Sequence, residues 1–226
     1  MTQSLLFLIV ELGRLFFMST LCKRFFNNAK NPSGILGKYI LTFMNGYGHK
    51  DLAEWAIELI GIIDGESILD IGCGGGGNIS RFLQRFPNSL VNGIDYSQIA
   101  VKLSKKNNAK AIAEERCKIS LGEAQCLPFD SESFDVITAF ETVYYWKNIE
   151  QSFREVLRVL KPKGKFSIIN GADAEGGWTW DAYIDGMRTY KPFELEQILK
   201  QSGFDNIQIL RKRDCHFVCI IAYKNN

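Results

Sequence analysis

The chain has 226 residues, 46% of them hydrophobic, and a formal net charge of +2. That is enough apolar material for one globular domain with a substantial core, and too little excess charge for a nucleic-acid surface. The six cysteines form no Cys-x-x-Cys pair, and the two histidines, His49 and His216, stand far apart, so no metal site is expected.

Residues 1–50 read as an N-terminal extension and helical cap, not an independent domain, ahead of a domain over 51–226. The stretch "LLFLIV" is interrupted by Glu11 and Arg14 and falls short of the roughly 18 apolar residues of a membrane span. Three readings stay open for it: an amphipathic helix, an upstream extension of a protein starting at Met18, and weak membrane contact. Stable insertion is not expected. Leu52, Ala56, Leu59, Ile60 and Ile63 recur at helical spacing and predict a helix over 51–62. A buried strand over 67–71 follows, then a helix over 77–86 with Ile79, Phe82, Leu83 and Phe86 on one stripe, stopped by Pro87.

"SLVNGID" is the second strand, and Ser97 caps a helix reaching about Lys110. Its basic run over 102–118 is interleaved with Glu114 and Glu115 and reads as a solvated face. Strands over 116–121 and 134–140 come next, the latter apolar enough for the middle of a sheet. Asn148 caps a helix carrying Ile149, Phe153, Val156, Leu157 and Leu160, which "KPKG" ends in a turn before the strand "KFSIIN". "KPFELEQILKQSG" is the last helix, with Pro192 in its first turn and Gly203 beyond its end. Strands over 206–210 and 215–223 close the chain. Cys215 and Cys219 share strand parity there and read as small core residues of a reducing, cytoplasmic compartment.

Strands alternating with helices predict an α/β fold: a Rossmann-like, doubly wound, seven-stranded, mostly parallel sheet. Too few residues join the last two strands for a crossover. They must form a C-terminal hairpin, which inserts one antiparallel strand.

In such sheets ligands bind beyond the carboxyl ends of the strands. "ILDIGCGGGG", ending at Gly77, puts a glycine loop there, after the first strand. Gly72, Gly74 and Gly76 remove Cβ atoms and permit positive φ, so a ligand can lie against the backbone. The G-x-G-x-x-G spacing alone is weak, since several nucleoside-binding folds share it. Asp95, at the end of the second strand, adds a carboxylate able to accept hydrogen bonds from both ribose hydroxyls and to repel a 2′-phosphate. The bland alternative is a turn aspartate capping the next helix, a role that Ser97 already fills.

"ILDIGCGGGG", "GIDYS", "GEAQCLPF", "FDVITAFETVYYW" and "EVLRVLKPKGKF", in this order and spacing, resemble class I S-adenosylmethionine-dependent methyltransferases. The likeness spans about 62–223 and is greatest to the small-molecule branch that includes the quinone-biosynthesis type. It implies S-adenosylmethionine as cofactor, no metal, and a small-molecule acceptor. The loop at Gly72, Gly74 and Gly76, with Asp70 before it, would hold the amino-acid end of the cofactor. Asp95 would take the ribose, Tyr96 would pack on adenine, and Glu123 with Ala124 would stand beside the adenine amino group. Glu123 replaces the aspartate more usual in the family. Phe140 would lie near the methionine portion. Glu141, Tyr144 and Tyr145 follow the fourth strand and are the candidate catalytic residues, and Trp146 adds a third aromatic to the cleft. Glu141 would act as a base or orient the acceptor, whereas either tyrosine could instead pack the next helix.

Two rivals stand beside this reading. A nicotinamide-dependent oxidoreductase accounts for the glycines and Asp95, but not for Asp70 directly before the loop or for the closing hairpin. A non-catalytic S-adenosylmethionine-binding protein would use the same aromatic cleft without turnover. Amino-methylation of nucleic acid is disfavoured, because "AFET" stands where those enzymes carry a Pro-Pro-aromatic turn. Tyr39, Tyr47 and His49 of the cap, and Trp178, Trp180 and Tyr183 of the connection after the fifth strand, suggest an apolar or planar acceptor. Lid packing would explain each ring singly.

Overall fold

The structure, a computed structural model, describes residues 50–171, 186–213 and 215–225. The expected cap and the aromatic residues assigned to it and to the connection lie outside them. From Lys50 the elements run α1 (Lys50–Ile60), β1 (Ser67–Ile71), α2 (Gly77–Arg85), β2 (Leu90–Asp95), α3 (Gln98–Asn107), α4 (Ala109–Ala113) and β3 (Cys117–Leu121). They continue with β4 (Phe134–Phe140), a 3-10 turn (Val143–Tyr145), α5 (Ile149–Val159), β5 (Leu160–Asn170), α6 (Pro192–Gln201), β6 (Asp205–Arg211) and β7 (Val218–Tyr223).

The strands form one seven-stranded sheet in the order β3-β2-β1-β4-β5-β7-β6. β1 pairs in parallel with both β2 and β4, so the chain reverses its winding between β1 and β4. That reversal opens a crevice at the carboxyl edge, where α/β sheets take ligands. β7 is the antiparallel strand, paired with β5 on one side and β6 on the other, as the short hairpin required.

Both faces are covered, which explains why β1 and β4 are mostly apolar on both sides instead of alternating. On one face Ile68, Val91 and Val136 pack with Leu52, Ile57, Ile79 and Phe82 of α1 and α2. On the other, Leu69, Ile137 and Ile168 pack with Phe153, Val156, Leu195 and Leu199 of α5 and α6. Phe82, Phe153 and Phe166 are fully buried, each stabilising the fold by about 1.5–3 kcal/mol relative to an exposed ring. At the amino edge, Asp135 Oδ2 accepts from Ser67 N at 2.9 Å and from Lys161 Nζ at 2.7 Å, which ties β1, β4 and β5 together.

Several boundaries depart from the expected ones. The helix after Ser97 breaks at Asn108, whose side chain is drawn into the glycine loop. β5 begins at Leu160 and runs through "KPKG", with Lys163 at φ 64° and a register shift opposite Phe134 and Val136. Leu157 of the expected stripe is only partly buried. α1 ends at Ile60, and Ile63 is 69% exposed instead of continuing the stripe. Cys219 is buried, but β7 starts at Val218, so Cys215 lies outside it and half-exposed. Among the described residues no helix is long and apolar enough to cross a membrane.

Candidate functional site

The site starts where β1 runs out. Gly72 N and Cys73 N both donate to Ile94 O, at 2.8 and 3.1 Å, so the glycine loop turns over the end of β2. Gly72, Gly74 and Gly76 all have positive φ, as the loop expectation required. Two of them make room for the protein itself and not only for a ligand. A Cβ on Gly72 would fall 2.3 Å from Thr142 Oγ1, and one on Gly76 would fall 2.5 Å from Asn108 Nδ2.

Asn108 Nδ2 donates to Gly76 O at 3.2 Å while its Oδ1 accepts from Ser80 Oγ at 2.7 Å. Asn107 Nδ2 donates to Gly75 O at 2.9 Å. These two asparagines hold the loop's carbonyl side, and helical periodicity had absorbed both into one continuous helix. Their signal was a polar pair where the basic helix face should have continued.

Asp95 holds the amide side. Its Oδ2 accepts from Gly74 N and its Oδ1 from Ser97 N, both at 2.9 Å, and the side chain is buried. Ser97 Oγ does accept from Ala100 N, at 3.4 Å. That cap does not leave Asp95 wholly free for a ligand, as the sequence had suggested, because the carboxylate also holds the Gly74 and Ser97 amides. Each carboxylate oxygen still has a lone pair beyond its backbone bond. Burial pushes the Asp95 carboxyl up, against the pull of the Ser97 and Gly74 amides. Tyr96, next in sequence, stays 41% exposed.

Asp70 is buried in β1 and accepts from Thr138 Oγ1 at 2.7 Å. Burial is the main force lifting its carboxyl to about 7; the Thr138 bond opposes this and the Asp95 charge adds to it. Thr138 was missed in the sequence, although it is a polar residue in the middle of "FDVITAF" and stands in register with Asp70.

After β4, Glu141 sits at φ 55°, strained for a residue with a side chain. Its N–H donates to Ile169 O at 2.8 Å, its Oε2 accepts from Tyr144 OH at 2.5 Å, and its Oε1 accepts from Gly171 N. The carboxylate therefore bridges the ends of β4 and β5. Tyr144 is buried and meets Tyr145 edge-on at 5.1 Å. Burial, with the charges of Glu141 and Tyr96, pushes the Tyr145 phenol far up.

Other candidates lie apart. The Phe140 ring packs in the core, 6.3 Å from Phe82. Trp146 stacks on Phe166 and packs, partly buried, against the core and not into the cleft where the sequence had put it. Glu123 is exposed, accepts from Gln125 Nε2 at 2.8 Å and faces Lys147 at 3.9 Å. Ala124 packs partly buried against the α5 face. Among the described residues no group of three or more His, Cys, Asp or Glu could hold a metal ion.

Residues 69–168, from β1 through most of β5, match a family model described as a methyltransferase domain. Over those residues the chain carries a methyltransferase domain. The match is to the methyltransferase domain as a whole and singles out no quinone-biosynthesis branch. The chain is 34% identical over 121 residues to 24-methylenesterol C-methyltransferase 2 of Arabidopsis thaliana, covering 52% of the chain and 33% of that protein. The chain thus matches about a third of that relative's length. An uncharacterized methyltransferase of Bacillus subtilis, YdaC, is 26% identical over 77% of the chain and 89% of its own length. The fold of the methyltransferase domain is also that of Haemonchus contortus phosphoethanolamine N-methyltransferase 2, solved with S-adenosyl-L-methionine. The TM-score is 0.73 at 17% identity, over 89% of this chain and 60% of that one.

Proposed function

We propose that the protein transfers a methyl group from S-adenosylmethionine to a small-molecule acceptor at the carboxyl edge of its sheet. The observation that carries this is Asp95. It is buried at the end of β2 and bonded to the glycine loop, with acceptor capacity left on both oxygens for a vicinal diol. That donor and acceptor set fits the cofactor's ribose. The cofactor, when bound, supplies a methyl group already activated on a sulfonium.

The chain's own residues have to bind and align more than to perform acid–base chemistry. In this reading Asp95 accepts from the ribose hydroxyls and Tyr96 lends its exposed face to adenine. Glu123 and Ala124 form the outer rim there. The backbone of Gly72, Gly74 and Gly76, with Asp70 behind it, receives the amino-acid end. Phe140 contributes through its position at the end of β4, since its ring is occupied in the core. Glu141 orients the acceptor or takes a proton from it, supported by the Tyr144 hydroxyl, and Tyr145 offers an aromatic face to the cation. The sterol C-methyltransferase relative supports an acceptor with apolar bulk, and the protein would act as a cytoplasmic enzyme without nucleic acid as partner.

Calorimetry with S-adenosylmethionine, S-adenosylhomocysteine and NAD tests the cofactor assignment. The sulfur nucleosides should bind and NAD should not; the reverse would return the oxidoreductase reading. Screening amines, phenols, quinols and thiols for release of S-adenosylhomocysteine then separates an enzyme from a non-catalytic binding protein.

A further inference from the structure

Among the described residues two buried side-chain atoms have no hydrogen-bond partner, Ser167 Oγ and Asn170 Oδ1. Ser167 lies mid-strand, in register with Thr138 and Ile221, away from either sheet edge. Asn170 is different. It is the last residue of β5, more than nine-tenths buried, at the carboxyl edge where the crevice opens.

Phe140 pairs with Ile169, so Glu141 and Asn170 are the next residues at the ends of two adjacent central strands. The Glu141 carboxylate reaches across to accept the N–H of Gly171, directly after Asn170. Asn170 shares strand parity with Phe166 and Ile168, which puts its side chain on the sheet face where Tyr144 and Tyr190 are buried. A buried amide oxygen with no donor is costly, and such groups persist where a ligand donor completes them. The same end of the crevice holds the Glu141 carboxylate, which among the described residues pairs with no lysine or arginine and is itself an acceptor-only group.

We infer that Asn170 is a specificity-determining residue: with Glu141 it makes the polar end of the acceptor pocket and selects an acceptor presenting an N–H or O–H donor. An acceptor ending in a carboxylate or phosphate would bring its own oxygens against Asn170 Oδ1 and the Glu141 carboxylate, both acceptors. Sites built to bond one polar group reject analogues that leave buried groups unpaired. This inference rests on the methyltransferase reading for the word acceptor, and its test does not depend on that reading.

The test uses probes with one ring and different heads: benzylamine, phenol and benzoate, titrated against the full-length protein with and without S-adenosylhomocysteine and followed by ligand-observed NMR. The two donor probes should bind saturably and benzoate about ten-fold or more weakly. Asn170→Leu, an apolar replacement of similar size, should weaken both donor probes by about ten-fold, leave S-adenosylhomocysteine affinity within about two-fold, and keep or raise Tm. Asn170→Asp offers acceptor oxygens, so it should retain donor binding and shift preference toward benzylamine; it keeps the test open should the leucine variant not fold. Equal binding of benzoate, or unchanged donor binding in Asn170→Leu, would overturn the assignment. So would a lower Tm with unchanged probe affinity, the signature of a structural amide. Absence of S-adenosylhomocysteine binding in the unaltered protein would defeat the methyltransferase reading instead, and leaves the donor preference measurable.

Discussion

Thr138 and Asp70 sit opposite each other on β4 and β1, and the threonine hydroxyl gives the buried carboxyl a 2.7 Å hydrogen bond. That bond does not offset burial, and the carboxyl rises from 3.8 to about 7. Within this window the folded protein holds a proton that the unfolded chain has lost, so stability falls as pH rises. Full ionisation of Asp70 above about 7 costs the apo protein on the order of 4 kcal/mol. Asp70→Asn keeps an acceptor for Thr138 and removes the titration. Thermal denaturation of the variant at about pH 5 and about pH 8 should show a flatter dependence and a higher Tm at the upper pH. Parallel curves for the two proteins would mean that Asp70 is already ionised in the fold.

The glycines divide by what they make room for. Gly72→Ala places a Cβ against Thr142 and keeps a residue at φ 76°, so it should cost about 1–3 kcal/mol of stability. Gly72→Ala combined with Thr142→Gly removes the clash and leaves only the φ strain, so the double variant should recover part of that loss in chemical denaturation. Gly74→Val should instead leave the apo protein folded and abolish binding of S-adenosylhomocysteine, because a β-branched residue resists φ 54° where the loop meets Asp95. Retained affinity in Gly74→Val would mean that the loop does not face the cofactor.

Much of this architecture was legible in the sequence because burial on both faces writes itself as apolar runs. "SILDI" and "FDVITAF" could hardly be anything but central strands, and the Asp ending "NGID" lies where the edge of the sheet demands. Features that depend on a partner far along the chain were not legible. "KPKG" looks like a turn until Leu160 and Lys165, on either side of it, pair with Phe134 and Val136 and draw it into β5. Asn108 looks like helix until Gly76 and Ser80 claim its amide. Trp146 reads as a cleft aromatic because sequence gives its distance from Glu141 but not the direction of its ring, which Phe166 decides.

Asp95 serves fold and ligand together, so its variants need both readouts. Asp95→Ala strands the N–H groups of Gly74 and Ser97 and should lower stability by about 1–3 kcal/mol. It should also weaken S-adenosylhomocysteine by about 1.5–3 kcal/mol in calorimetry, the range for hydrogen bonds to a charged group. Asp95→Asn retains one acceptor oxygen and should lose less stability than affinity. A folded Asp95→Asn with undiminished affinity would reduce the residue to a loop anchor.

Glu141 carries the heaviest chemical expectation, and its surroundings define how to test it. The carboxylate is already bonded by the Tyr144 hydroxyl and the Gly171 amide, so any proton it receives from an acceptor must use a remaining lone pair. Glu141→Gln preserves the size and one acceptor oxygen for Gly171, and the Tyr144 hydroxyl can turn to accept from the new amide. The bridge between β4 and β5 should therefore survive, with Tm changed by little. Turnover of an acceptor that must lose a proton should drop about ten- to a thousand-fold, with cofactor affinity held within a few-fold. Tyr144→Phe leaves the charge in place and removes one of its donors, so it should slow turnover less than Glu141→Gln does. Those two variants, assayed across pH with S-adenosylhomocysteine as the measured product, separate base from scaffold. A base loses its pH-dependent limb in Glu141→Gln, whereas a scaffold loses stability in both variants and keeps its pH profile. Normal turnover in a stable Glu141→Gln would leave the carboxylate as the clasp that holds Gly171 to the end of β4.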